Sequence, residues 1–204
     1  MLITFEGIDY SGKSTQAKLL VDRLEKHGKE VVFLREPGGT SISEKIRNIL
    51  LDKKHLELKQ ITELFLFSAA RTQLVNEVIL PALQAGKVVV CDRFYDSTTA
   101  YQGYGRGINL NDIQAINRIA TSETKPHLTF FIDIEIDELF KRQIAAGLSA
   151  DRMESSGRDF FERVRNGYWK LAEMESGRFI VVSGELQIDE IHREIWDIVK
   201  KQII

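Results

Sequence analysis

MLITFEGIDYSGKSTQAKLL, residues 1–20, carries three backbone habits in succession. Leu2–Glu6 is rich in Ile, Phe and Thr and reads as a short buried strand. Gly7-Ile8-Asp9-Tyr10-Ser11-Gly12-Lys13-Ser14 breaks it with a glycine-punctuated loop, and helical periodicity begins at once after the loop, through Thr15. The spacing G-x-x-x-x-G-K-[ST] between a strand and a helix is that of a P-loop. Gly7 and Gly12 let successive backbone N–H groups point into one concavity. The helix N-terminus adds partial positive charge, so polyphosphate is drawn there. Lys13 is placed to reach the β- and γ-phosphates and Ser14 to ligate Mg²⁺. With no phosphate bound, Lys13 is expected to face open space.

The whole chain sets the frame for that motif. Its 204 residues, 43% hydrophobic and 28% charged, suit one domain over residues 1–204. A formal charge of −2 provides no global field for nucleic acid, so an anionic ligand must be held by local positive groups. Cys91, the single cysteine, sits in the apolar run Val88-Val89-Val90-Cys91 and reads as a buried, inert thiol. No apolar run approaches membrane-spanning length, and the chain enters a strand without a signal-like segment, so a cytoplasmic location is expected.

Five segments read as strands: 2–6, 31–35, 88–92, 128–133 and 179–182. Helical patterns lie between them at 13–27, 42–51, 60–84, 110–121, 136–146, 158–174 and 188–202, with Pro81 set to kink or divide the long one. Short apolar strands alternating with helices predict an α/β fold, a five-stranded parallel sheet covered by helices on both faces. Ligands on such sheets sit at the carboxyl ends of the strands.

Further motifs fall at those ends. In VVVCDRF, Asp92 ends a buried strand, where an acid holds magnesium through water in P-loop enzymes, and Arg93 follows with a planar fork suited to phosphate. REPGGT, residues 35–40, puts Arg35 at another strand end before an abrupt turn. Phe67 and Arg71 are spaced i, i+4 on one helix face, where a ring can stack a base and a guanidinium can bond its carbonyl. STTAYQGYGRG, residues 97–107, reads on its own as a flexible polar loop.

Together FEGIDYSGKSTQ, REPGGT, ELFLFSAAR, DRFYDSTTAYQGYGRG and DRMES…DFFERVRNGY resemble the bacterial thymidylate kinase family, essentially end to end. A P-loop alone is shared by many enzymes. The combination of REPGG, [FL]-x-x-x-R and DR[FYH]-x-x-S-x-x-A-Y-Q-G is specific to that family. The resemblance implies a three-layer P-loop kinase fold with a mobile lid at about 142–158, transfer of phosphate from Mg·ATP to dTMP, and a homodimer. It also implies roles: Asp9 at the sugar 3′-OH and the metal, Arg35, Arg47 and Arg93 around the dTMP phosphate. Phe67 would stack on thymine and Arg71 bond its O4, with Thr98 and Gln102 at the base's other edge. Tyr101 would pack under the ribose C2′ and leave no room for a 2′-OH.

The sequence departs from part of the family by carrying Tyr10 where some members have a P-loop arginine. The catalytic arginine is then expected in the lid, which holds only Arg142, Arg152 and Arg158. Arg152 in DRMES matches best, in a small-residue stretch containing Gly147, Ser149 and Ala150. Kinases for dUMP, dCMP or a deoxynucleoside compete with this reading. Arg71 can only donate, so it suits a 4-carbonyl and opposes the 4-amino group of cytosine. A nucleotide-operated switch is disfavoured, because neither N-K-x-D nor L-S-G-G-Q occurs.

Overall fold

The computed structural model describes residues 1–55, 57–147 and 151–203. β1 (Leu2–Glu6) lies mid-sheet, flanked by β3 (Val88–Asp92) and β4 (Leu128–Asp133), with β2 (Val31–Arg35) and β5 (Phe179–Ser183) at the edges. Every pairing is parallel, in the order β2-β3-β1-β4-β5. The register sets Asp92 opposite both Phe5 and Arg35, which brings the P-loop, Asp92 and Arg35 to one carboxyl edge.

Strand alternation sorts the two faces of β1. Ile3 and Phe5 enter an apolar cluster with Leu20 and Leu24 of α1 (Lys13–Lys26) and Ile195 and Trp196 of α9 (Ile188–Ile203). Thr4 and Glu6 face the other way and are fully buried, so each needs a polar partner. Thr4 finds Thr129 at 2.8 Å, and Glu6 finds Tyr168 of α8 (Arg158–Met174) at 2.9 Å. On that side Phe131, Phe160, Phe161 and Tyr168 form a second core.

The expected helices appear within a residue or two. α2 (Ser41–Leu51) starts where Thr40 Oγ1 accepts from Ser43 N at 3.1 Å, and α6 (Leu110–Ala120) where Asn109 accepts from Asn111 N at 2.8 Å. α7 (Ile136–Ala146) ends at Gly147, whose φ of 61° suits a helix stop. The pattern over 60–84 divides as expected, into α3 (Gln60–Leu74), a wider π-type turn at Val75–Ile79, and α4 (Leu80–Gln84). Pro81 lacks an N–H and its ring crowds the carbonyl four residues back, so the turn before it opens.

One expectation is overturned. The stretch read as a polar loop is helical: α5 (Tyr95–Thr98) runs directly into a π-type segment, Thr99–Gly105. Its glycines serve close packing. A Cβ on Gly105 would lie 2.7 Å from Phe160, and one on Gly103 would lie 2.8 Å from Leu110. No helix among the described residues is long and apolar enough to cross a membrane.

Candidate active site

The P-loop turns as its glycines require. Gly7 has φ 135°, and a Cβ there would sit 2.4 Å from Ile132 O, so only glycine fits. Tyr10 takes φ 60°, a left-handed conformation that is uncommon for a non-glycine residue. Ile8 and Ser11 are buried, while Ser14 and Thr15 are exposed on the first turn of α1. Lys13 does not face open space as expected: it is 5% exposed and donates to Ile8 O at 2.6 Å. An ammonium in a concavity of N–H groups takes the nearest carbonyl. Burial and the charge of Arg93 outweigh Asp9 and Asp92 and bring Lys13 down to about 8.

Ser14 Oγ donates to the Asp92 carboxylate, so the two expected metal-side groups are together. No cluster of three or more His, Cys, Asp or Glu suited to a metal exists among the described residues. A hydroxyl beside one carboxylate still fits magnesium, which takes its remaining oxygens from phosphate and water.

Arg93 is held in the left-handed region at φ 71°, which turns it from the end of β3 toward the P-loop. Its guanidinium donates to Gly7 O at 2.9 Å, Asp9 Oδ1 at 2.5 Å and Tyr101 Oη at 3.1 Å. Tyr101 in turn donates to Asp9 Oδ2 at 3.1 Å. Burial pushes Asp9 up, but Arg93 and Lys13 outweigh it and hold the carboxyl below its usual range. Behind Arg93 stands Glu6, which accepts from Phe94 N at 2.7 Å, Ser97 Oγ at 2.6 Å and Tyr168 Oη at 2.9 Å. Burial, with the nearby charge of Asp96, raises Glu6 to about 7.

The far end of the cavity, about 290 Å³ in volume, is lined by Phe67, Arg71, Thr98 and Gln102. Phe67 is half-buried, and Arg71 is fixed on three sides. Its Nε donates to Glu36 at 2.7 Å, one Nη to Thr98 at 2.8 Å and the other to Phe94 O at 3.1 Å. Gln102 Nε2 donates to Glu63 at 2.9 Å. Between the two ends, Arg35 pairs with Glu44 at 3.0 Å and Arg47 donates to Pro37 O at 2.8 Å.

Arg152 is not where the lid reading put it. It pairs with Glu63 at 2.6 Å and donates to Leu50 O at 2.7 Å, and it makes no hydrogen bond to the P-loop among the described residues. Glu63 is buried and its charge is costly unless paired, which accounts for the cations gathered on it. Arg142 instead approaches the P-loop, donating to Tyr10 O at 3.2 Å and Gly184 O at 3.0 Å. Arg158 is a surface residue paired with Asp137. Ser149 and Ala150, which were read as part of the swinging stretch, lie outside the described residues.

Sequence reasoning assigned no role to Glu6, Glu36 or Glu63, the buried acids behind Arg93, Arg71 and Gln102. Glu6 had a signal: a lone acid inside an apolar strand demands partners. Glu63 faces the same side as Phe67 and Arg71 by helical spacing, a weaker hint.

The chain is similar to known proteins along nearly its whole length. A family model described as thymidylate kinase matches residues 5–195. The chain is 48% identical over 210 residues to the thymidylate kinase of Chlorobium phaeobacteroides, spanning 99% of this chain and 95% of that protein. It is 44% identical over 201 residues to that of Thermoanaerobacter pseudethanolicus, covering 98% of each. The crystal structure of thymidylate kinase from Ehrlichia chaffeensis superposes with a TM-score of 0.80, at 37% identity and 98% coverage of both chains. The chain belongs to the thymidylate kinase family.

Proposed function

We propose that the cavity holds ATP and dTMP end to end and that the chain transfers the γ-phosphoryl group of ATP to dTMP, giving ADP and dTDP for dTTP synthesis. The observation that carries this reading is one cavity with a P-loop lysine at one end and a ring–guanidinium pair at the other. A dTMP phosphate oxygen attacks the γ-phosphorus while the bond to the β–γ bridging oxygen breaks. The phosphate dianion needs no general base, so the protein's work is positioning and spreading positive charge.

In this reading Gly7 to Thr15 cradle the ATP phosphates, with Lys13 released from Ile8 O to the γ-phosphate. Arg93, anchored by Asp9 and Tyr101, faces the phosphate being transferred, and Arg35 and Arg47 hold the dTMP phosphate. Phe67 stacks on thymine, Arg71 meets O4, and Thr98 and Gln102 meet the base's other edge. Tyr101 lies beneath C2′ of the sugar. Ser14 and Asp92 would hold Mg²⁺, which would supply charge neutralisation to the phosphates when bound. Arg142, which donates to Tyr10 O, supplies the lid-side charge at the phosphate end.

The chain is further proposed to work in the cytoplasm, without nucleic acid, as a homodimer. Ile61 and Phe65 form an exposed apolar stripe on α3, and Ile119 is exposed on the neighbouring α6. A coupled ADP-release assay across dTMP, dUMP, dCMP, dAMP and dGMP tests the substrate. dTMP should lead, with residual dUMP turnover because one methyl separates the two by only ~1–3 kcal/mol. Preferred use of dCMP or a purine nucleotide would overturn the assignment.

A further inference from the structure

Gln102 carries both a donor and an acceptor, and a free amide can turn either end toward a ligand. Glu63 removes that choice. The residue is 1% exposed, and its carboxylate accepts from Gln102 Nε2 at 2.9 Å and Arg106 Nε at 3.3 Å and is ion-paired with Arg152 Nη1 at 2.6 Å. Burial pushes Glu63 up, but the hydrogen bond from Gln102 and the charges of Arg106 and Arg152 outweigh it and hold the carboxyl below its ordinary range. An ionised carboxylate only accepts. Gln102 must therefore give Nε2 to Glu63 and turn Oε1 away. That oxygen has no hydrogen-bond partner among the described residues, and Gln102 lines the cavity with Arg71 and Phe67.

We infer that Glu63 is a positioning residue which, through Gln102, makes the base end of the cavity select a pyrimidine with an N3–H beside its 4-carbonyl. The inference rests on the dTMP reading and adds to it. Arg71 offers donors: three of its five N–H groups are used by Glu36, Thr98 and Phe94, leaving two. Gln102 Oε1 then offers an acceptor beside them. Thymine and uracil present the complement, an acceptor at O4 next to a donor at N3. Cytosine presents the reverse at both positions, a 4-amino donor next to an N3 acceptor. Selection against cytosine is thereby built twice, and the second half depends on the charge of a residue that need not touch the ligand.

A double-mutant cycle with Glu63→Gln and Gln102→Ala tests this, by steady-state kinetics with dTMP, dCMP and ATP. A glutamine at 63 can accept as well as donate, which frees the Gln102 amide to turn. Glu63→Gln should raise the dTMP KM about tenfold, the worth of roughly one hydrogen bond, and leave the ATP KM within about twofold. The ratio of kcat/KM for dTMP over dCMP should fall about tenfold by the same argument. In the Gln102→Ala background, Glu63→Gln should change the dTMP KM less than about twofold. An unchanged dTMP KM and ratio in Glu63→Gln, or effects that simply multiply in the double variant, would overturn the inference. If Glu63→Gln does not fold, Gln102→Ala alone must lose the dTMP-over-dCMP ratio, and retention of that ratio overturns it. Wild-type enzyme with no dTMP turnover would overturn the functional reading and this inference with it; turnover with uncoupled variants overturns this inference alone.

Discussion

Lys13 and Glu6 each titrate away from their ordinary range, and each shift has a measurable consequence. Lys13, at about 8, is half-charged near pH 8 while it is folded onto Ile8 O. An arriving phosphate restores the full charge, so ATP binding at pH 8 should take up about half a proton. Calorimetry in buffers of different ionisation enthalpy reads this directly. Lys13→Met should abolish the uptake and turnover with an unchanged circular dichroism spectrum; uptake that persists would remove Lys13 from the phosphate site. Glu6 works through stability. Its native value of about 7 lies above the ordinary 4.5, so between those values the native state binds the extra proton. The stabilising contribution is complete below about pH 4.5 and is lost as pH rises through about 7. Asp96, Arg93, Ser97 and Tyr168 are the polar groups around it. Thermal melts at pH 5 and pH 8 should show a smaller drop for Glu6→Gln than for wild type. Equal drops would place the titration elsewhere.

Arg142 and Arg152, two arginines of the proposed lid segment, are held by different partners. α7 presents Arg142, oriented by Glu138 at 2.7 Å, to the P-loop carbonyl of Tyr10. The segment after residue 150 presents Arg152 to Glu63 of α3. An arginine near the transferring phosphate acts mainly on the transition state, and one near the base acts mainly on binding. Arg142→Ala should therefore lower kcat ~10²-fold or more, the scale for losing one charge-stabilising donor. Arg152→Ala should raise the dTMP KM and keep kcat within about tenfold of wild type. Steady-state kinetics of both, with Arg158→Ala as a surface comparison, separates the cases. A far larger kcat loss in Arg152→Ala would mean that Arg152 leaves Glu63 in the closed complex.

At the scale of the molecule, three apolar clusters pack against the sheet, yet Phe65 stays 56% and Ile119 69% exposed. On α3, Ile61, Phe65 and Ala69 recur at i, i+4, i+8, one continuous stripe. Covering each such large side chain is worth ~1.5–3 kcal/mol, and the proposed homodimer would supply that cover. Sedimentation should find wild type at twice the 23.3 kDa chain mass and Phe65→Glu at the single mass. Wild type sedimenting as a monomer would discard the dimer.

The amino-acid sequence alone determined the parallel α/β sheet, the P-loop and the placement of Asp92, Arg93, Phe67 and Arg71. Those features are local: strand and helix periods, a glycine spacing, and residues one helical turn apart. The Phe67/Arg71 pair does line one end of the cavity, because a period of 3.6 residues left it little choice. The helical conformation of Tyr95–Gly105 was not legible, since packing of its glycines under Leu110 and Phe160 overrides their local preference for a loop. Nor were the partners of the buried acids. Glu6 meets Tyr168 across 162 residues, and Arg152 is drawn to Glu63. Which cation a carboxylate takes depends on which groups share its low-dielectric pocket once the chain has closed. That is decided by tertiary packing, and no spacing along the chain encodes it.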